Sequence, residues 1–417
     1  MVGTTRRGGF QPASFSGEFG LDWLNLFVGN IQTGFGPFVA VYLTTRSWTT
    51  TSIGFALSLG TITAMASQAP AGALVDRIAD KAAVVLVSIL AFSVSALLLA
   101  VKPVSLAVYI AEMIHSFSSC TLGLAIAALS LLVAAPALQG PRFGRNARFA
   151  SIGNGIGAAL MGAFGYYVSE RSVFFLTAAL ALPTLLALPS LRRLARSPPC
   201  SLRGAADPRP GKAAFSRVLT DRALLTFGAC AMLFHLGNAA MLPLVGSELT
   251  RTVGGAASLV IAACVVLPQL VVALISPSVG RLAEKNGRRV VLLLGFCTLP
   301  IRGGVLAVAN DPVLLVLVQI LDGVAGSSLG VLVPLVTSDV AGRSGHFNLA
   351  LGFIGLAIGI GATVSTGLAG SIADHWGQPT AFAGLAAAGL AATGLAWGAM
   401  PETRSRVQPG GVGRAPI

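Results

Sequence analysis

GALVDRIADK, residues 72–81, is a charged decapeptide set between two long apolar runs, and GRLAEKNGRR, residues 280–289, occupies the same kind of setting 208 positions later. Both open on a glycine (Gly72, Gly280) and both place a carboxylate four residues on (Asp76, Glu284). Both also carry basic residues: Arg77 and Lys81 in the first, Lys285, Arg288 and Arg289 in the second. A loop that occurs twice implies that what it connects occurs twice.

The surrounding sequence is that of an integral membrane protein. Of the 417 residues 54% are hydrophobic and only 10% are charged, and the mean hydropathy is +0.80, well outside the balance of a soluble domain. Apolar runs long enough to cross a hydrocarbon core about 30 Å thick as helices recur along the whole chain. They lack the every-second-residue alternation of a membrane barrel. Twelve spans are predicted, near 20–44, 51–72, 82–101, 104–137, 147–168, 172–191, 221–247, 256–280, 289–309, 312–338, 346–372 and 378–399. No small-residue cleavage site precedes the first run, which therefore reads as a retained span and not a signal peptide.

The charge of +13 is topological. With the N-terminus in the cytoplasm, that side holds Arg6, Arg7, Arg77, Lys81, Arg142, Arg145, Arg148, the cluster from Arg192 to Arg222, Arg281, Lys285, Arg288, Arg289, Arg343, Arg404, Arg406 and Arg414. The opposite side holds Arg46, Lys102, Arg171 and Arg251. This is the positive-inside bias, which places both termini in the cytoplasm and leaves nucleic-acid binding without support. Arginine far exceeds lysine, which suits a GC-rich bacterial genome and hence an inner (plasma) membrane. Cys120, Cys200, Cys230, Cys264 and Cys297 form no CxxC, so neither a disulfide framework nor a metal site is indicated, and the cysteines read as packing residues.

The repeat extends through both halves. Gly29 and Asn30 correspond to Gly237 and Asn238 at a shift of 208, the LG pair at 122–123 to that at 329–330 at 207, and GIGA at 155–158 to GIGA at 359–362 at 204. An Arg- and Pro-rich segment separates the copies. The chain therefore divides into a six-helix half (1–191), a cytoplasmic linker (192–220), a second six-helix half (221–400) and a cytoplasmic tail (401–417). Two like-oriented halves related by an axis along the membrane normal are a transporter plan, with the substrate site between them near mid-membrane.

On these residues the chain resembles the major facilitator superfamily, whose loop between spans two and three reads roughly G-x-x-x-D-R/K-x-G-R/K-R/K. The first copy keeps Gly72, Asp76 and Arg77 but has Ala79 for the family's Gly and Asp80 for a base; the second keeps Gly280, Lys285, Gly287, Arg288 and Arg289 but has Glu284 for Asp. The resemblance implies an all-α fold of two pseudo-symmetric six-helix bundles. It also implies that spans one, four, seven and ten line a central cavity, and that Gly72, Asp76, Arg77, Gly280, Glu284, Lys285, Arg288 and Arg289 gate it by contacts favouring the outward-open state. The alternative for these loops is a pair of solvated turns.

Polar groups inside the spans fall on the helices that the resemblance assigns to the cavity. Span four carries Glu112, His115, Ser116, Ser118 and Ser119, span seven His235 and Asn238, span ten Gln319, Asp322, Ser327 and Ser328, and span one Asn25, Asn30 and Gln32. At a shift of 207, Glu112 falls on Gln319 and His115 on Asp322. Glu112 and His115 lie about 13 and 18 Å along the helix from Pro103, and Asp322 about 15 Å from Pro312, at 1.5 Å per residue. All three belong near mid-membrane. There a carboxylate is a candidate proton carrier, since low dielectric favours its neutral form and a nearby cation its charged one. Histidine titrates near neutrality. Glu112 and Asp322 are thus expected to carry coupling protons or bind a cationic substrate group, with His115 and His235 as relay or ligand-orienting groups and Asn238, Asn30, Gln319 and Arg302 completing the site; for Arg302, pairing with Asp322 is favoured over binding an anion. The structural alternatives are a fixed Glu112–His115 pair and a pair of Asp322 with Arg302, the one base deep inside a span. Glu18 and Asp22 read as a helix cap or a solvated mouth.

Small residues four apart, such as Gly153 with Gly157 and Gly355 with Gly359, permit close helix packing. By resemblance, GAALMG at 157–162 keeps part of the antiporter pattern G-P-x-L-G-G without its proline, leaning toward export. The expectation is a monomeric, non-enzymatic secondary transporter of a small-molecule solute in the lipid bilayer, proton-coupled and exporting, without cofactors. The alternative is a proton symporter importing a metabolite. There is no G-x-x-x-x-G-K-[ST] for a primary pump and no H-E-x-x-H or G-x-S-x-G for a hydrolase. An ion channel is the rival from another class.

Overall fold

The computed structural model describes residues 15–35, 37–101, 103–196, 216, 220–253, 257–309, 311–341 and 346–404. Most of the expected linker and of the tail lie outside the described residues, and with them Arg6, Arg7, Lys102, Cys200, Arg343, Arg406, Arg414 and the side chain of Arg251.

The described chain is helical and contains no strand. Span one is α1 (Phe15–Thr33) and α2 (Pro37–Thr45); spans two to five are α3 (Thr50–Arg77), α4 (Lys81–Val101), α5 (Ser105–Val133) and α6 (Gln139–Tyr167); span six is α7 (Glu170–Leu185), followed by α8 (Leu188–Arg196). Span seven is α9 (Arg222–Asn238) and α10 (Met241–Val253), spans eight and nine are α11 (Ala257–Asn286) and α12 (Arg288–Val308), and span ten is α13 (Pro312–Leu317) and α14 (Gln319–Ala341). Spans eleven and twelve are α15 (Phe347–Trp376) and α16 (Gln378–Ala399).

Helices outrun the predicted spans at one end of the bundle, that of the two loop copies, called here the basic end. Expected to start at 147, α6 starts at Gln139, so Arg142 and Arg145 stand on a helix and not in a loop. Similarly α11 continues to Asn286. Hydropathy marks where hydrocarbon ends, whereas a helix continues as long as its backbone bonds are met. The second loop copy is therefore almost wholly helical. Its turn is the single residue Gly287, whose φ of +100° suits glycine alone.

Nine described helical segments are long and apolar enough to cross a membrane by composition alone, and spans two, five and six are not among them. Spans two and five both face the other half. Span five packs on span eight and span eleven on span two, and these pairs are each other's counterparts in the repeat. Within the halves the pairing also repeats: one with five as seven with eleven, two with four as eight with ten, and three with six as nine with twelve. The apolar core of the second half is continuous. That of the first half splits into a basic-end cluster around Leu24, Ile89 and Leu129 and an opposite-end cluster around Tyr42, Phe92 and Phe174. A polar layer lies between them, including a Ser88–Thr121 hydroxyl bond of 2.8 Å and Gln32 Nε2 donating to Ser119 Oγ at 2.9 Å.

Candidate functional site

A cavity of about 370 Å³ lies between the halves, lined by Gln68 of span two, His115, Ser116, Ser119 and Cys120 of span four, Val333 of span ten, and Leu351 and Gly355 of span eleven. Span four supplies most of the polar wall because its serines recur on one helical face. The His115 ring stacks on Phe35 at 3.8 Å between centroids and meets Phe92 edge-on at 4.8 Å. Its Nδ1 is buried without a hydrogen-bond partner.

One turn away, Glu112 is 4% exposed, and its Oε1 is buried with no hydrogen-bond partner. Its Oε2 and the Ser116 hydroxyl lie against Gly60 of span two, where a side chain would collide with the carboxylate. The fixed Glu112–His115 pair considered from the sequence is not formed, for neither group bonds the other. A carboxylate so placed keeps its charge only at a large desolvation cost.

The equivalent region of the second half is arranged differently. Arg302, whose side chain is 2% exposed, reaches from span nine into the half. Its Nη1 donates to Asn238 Oδ1 at 2.6 Å and Asp322 Oδ1 at 2.7 Å, and its Nη2 to Gln319 Oε1 at 2.6 Å. Gln319 in turn donates to the Leu315 carbonyl at 2.9 Å. His235 Nδ1 lies 3.0 Å from the Ala231 carbonyl, and since a carbonyl only accepts, Nδ1 bears the proton and Nε2 is left as an acceptor. Asn30, the counterpart of Asn238, does not join such a centre. Its Nδ2 turns back to the Leu26 carbonyl at 3.1 Å, and its backbone is packed against Gly157 of span five.

The loop copies meet the opposite halves. Asp76 accepts from the Asn348 N–H at 3.1 Å, the Leu349 N–H at 2.9 Å and Asn348 Nδ2 at 2.7 Å, so it caps α15 of the second half. Glu284, 208 residues on, accepts from the Gly140 N–H at 2.9 Å at the start of α6 in the first half. Each carboxylate thus sits on the positive end of a helix dipole across the interface. Gly72 lies against the Asn348 and Leu349 backbone, and Gly140 against Gly280, so closely that a Cβ on any of them would meet main-chain atoms. The carboxylate of each copy is thus an interface contact, while Arg77, Ala79 and Asp80 of the first copy are exposed. Arg288 joins Glu284 and Asp339, each at 2.9 Å, and the Arg288 and Arg289 N–H groups are capped by Glu402 at 2.9 and 3.1 Å. Asp80, the departure from the family pattern, caps α4 through the Ala82 and Ala83 N–H groups at 3.0 and 3.1 Å. Lys81 Nζ closes the end of α3 on the Ile78 carbonyl at 2.6 Å. Lys285 offers its carbonyl to Arg404 at 2.9 Å, and Arg77 projects outward and exposed.

Two features carried no clear signal in the sequence. Asp22, expected to be a cap or solvated, is buried and salt-bridged to both Arg142 and Arg145 of span five. Asn146 extends that network to Asn25 at 3.1 Å and Ser130 at 2.7 Å. Arg148 crosses to span eight, where its Nε donates to the Ala273 carbonyl at 2.7 Å and its Nη2 to the Leu274 carbonyl at 3.3 Å. Pro277 lacks the N–H that would otherwise bond the Ala273 carbonyl, so Arg148 satisfies an acceptor that the proline frees. The hydrogen bonds joining the halves cluster toward the basic end and reach inward to Thr363 with Met65 Sδ at 3.5 Å.

The profile of the MFS_1 like family matches residues 24–383. An uncharacterized MFS-type transporter of Mycobacterium tuberculosis, known from two strains, is 34% identical over 393 residues, 92% of this chain and 93% of the relative. Two crystal structures of FucP share the fold. One is a variant of the E. coli fucose:proton symporter, with a TM-score of 0.70 at 14% identity over 91% of this chain and 97% of that one. The other is in the outward conformation, with a TM-score of 0.66 at 16% identity over 92% and 97%. The chain belongs to the MFS_1 like family, and it is a major facilitator superfamily transporter with the twelve-helix fold of that superfamily.

Proposed function

We propose that this transporter works by alternating access as a proton-coupled exporter of a small solute, with Glu112 as the group that carries the coupled proton. The observation behind this is the Glu112 carboxylate itself: buried mid-membrane beside the central cavity, one oxygen without a partner and no cation bonded to it. A mid-membrane carboxylate with no fixed counter-charge is free to exchange a proton as its surroundings change, which is what coupling requires. Asp322, expected from the sequence to share this task, is a weaker candidate because Arg302 neutralises it. The positive-inside bias orients the basic end to the cytoplasm of a bacterial inner membrane. With the caps at Asp76 and Glu284 formed, the halves are closed on that side, and Gly72, Arg77, Gly280, Lys285, Arg288 and Arg289 serve the same closure. The protein acts as a monomer, since each chain holds both halves of its site.

The test uses proteoliposomes loaded with the pH dye pyranine under an imposed pH gradient, to which size-matched amines, sugars and carboxylates are added one at a time. At least one solute should accelerate the collapse of the gradient with the wild-type protein and fail to do so with Glu112→Gln. If solute-dependent collapse is the same in both, Glu112 is not the proton carrier. The sidedness of the effect separates export by antiport from the alternative, import by symport.

A further inference from the structure

The charges in the middle of the bundle are presented unequally. Arg302, the one base deep inside a span, has both terminal nitrogens engaged by Asn238, Asp322 and Gln319, and its side chain is 2% exposed. Its partner Asp322 is 24% exposed and gives only Oδ1 to the arginine. The pair is neutral as a whole, but the face it shows is its negative end. Arg302 Nη1 is shared by Asp322 and Asn238, and one turn before Asn238 on α9 His235 has its proton committed to the Ala231 carbonyl and retains an acceptor nitrogen. On the facing half, at the height that the repeat assigns to Gln319, Glu112 holds a buried oxygen without a partner. Among the described residues, no other charged side chain reaches this level from α5, α14 or the helices packed on them. Glu18, Asp22, Asp76, Arg77, Lys81, Arg142, Arg145, Arg148, Arg192, Arg222, Arg281, Glu284, Lys285, Arg288, Arg289 and Asp339 are toward the basic end, and Asp374 and His375 toward the other.

From this we infer that the transported solute is an organic cation, a protonated amine or quaternary ammonium of small size, received by the free oxygen of Asp322 and the acceptor nitrogen of His235. A carboxylate or phosphate would meet Asp322 without a free donor of positive charge to offset it, and in a low dielectric that repulsion excludes it. Arg302 is then a positioning residue: it pairs with Asp322 through Oδ1 and aims it, but does not touch the solute. The inference rests on the transport reading above and deepens it. Solute binding at Asp322 in one half is then coupled to release of the proton from Glu112 in the other, and the two cations exchange.

The experiment uses the purified full-length protein and a matched series in which one ring carries an ammonium, a hydroxyl or a carboxylate: cyclohexylammonium, cyclohexanol and cyclohexanecarboxylate, with larger ring and alkyl homologues of each. Thermal unfolding reports binding, and a pH indicator in weak buffer reports protons released. Stabilisation confined to the ammonium members, weakened at least tenfold by Asp322→Asn, is the expected result. Because that variant leaves Arg302 unpaired, the neutral pair Arg302→Met with Asp322→Asn is measured alongside and should lose the ammonium preference equally. Stabilisation by hydroxyl or carboxylate members, by no member at all, or an ammonium preference that survives in both variants, overturns the inference. Ammonium binding that depends on Asp322 but releases no proton leaves the substrate class standing and removes the proton-coupled reading instead.

Discussion

Replacing Arg148 by methionine tests how the halves are held together at the basic end. The substitution keeps much of the side-chain volume and removes two hydrogen bonds across the interface, 2.7 Å to the Ala273 carbonyl and 3.3 Å to the Leu274 carbonyl. The second is long and exposed and contributes little. The first has a charged donor, worth about 1.5–3 kcal/mol, and its acceptor has no helical partner because of Pro277. Taking about 2 kcal/mol, and noting that the contact exists only while the basic ends are together, the closed-to-open ratio should fall roughly 30-fold. Spin labels at the exposed positions Leu138 and Val290, on a background without native cysteines, would report this as a new population at longer distance. Arg148→Lys, which can still donate to the Ala273 carbonyl, should recover part of the closed population. An unchanged distance distribution for Arg148→Met would refute the assignment of a closing role to this contact.

Asp76→Asn leaves the α15 cap with a neutral acceptor in place of a charged one and should open the basic end about tenfold, by the same distance measurement; Glu284→Gln, with one bond across the interface to lose, should do less. Gly140→Val places branched carbons where Gly280 main chain lies, so the basic end cannot close, and a cysteine at Gln139 should become reactive to water-soluble maleimide. Arg302→Met alone strands Asp322 and should destabilise the protein by about 3–5 kcal/mol, whereas Arg302→Met with Asp322→Asn should unfold near the wild-type temperature. Asp22→Asn, which leaves Arg142 buried against a neutral partner, should lower the unfolding temperature more than Glu18→Gln, whose ion pair with Arg145 is 3.3 Å long and largely exposed.

The loop copies illustrate both what was legible and what was not. Their spacing, charges and shift of 208 marked a repeated connection, and Gly72, Asp76, Gly280 and Glu284 were singled out on that basis. That Asp76 would close on Asn348 and Leu349, and Glu284 on Gly140, could not be read there, because a cap is recognisable only with the helix it caps, and these helices start in the other half. The mid-membrane residues divide in the same way. Glu112, His115, His235, Arg302, Gln319 and Asp322 stood out as polar groups in apolar runs, and the repeat aligned Glu112 with Gln319. The alignment suggested equivalent roles, yet Gln319 serves Arg302 while Glu112 has no partner. The repeat offers no base near position 94 to match Arg302, and that single absence makes the two halves electrically different.

By itself the sequence determined that the chain crosses a membrane, roughly where, with which end basic, and that it does so as two copies of one six-span unit. These follow from hydropathy, charge bias and repetition, each a property of a local window, because a membrane helix satisfies its backbone bonds within its own segment. Only the tertiary structure decided which polar groups meet: Asp22 with Arg142 and Arg145, Arg148 with Ala273, Arg302 with Asn238, Gln319 and Asp322, and Glu112 with nothing. Those partners lie up to 125 residues apart and depend on the rotation and crossing of each helix against its neighbours. Packing sets that geometry, and no window along the chain contains it.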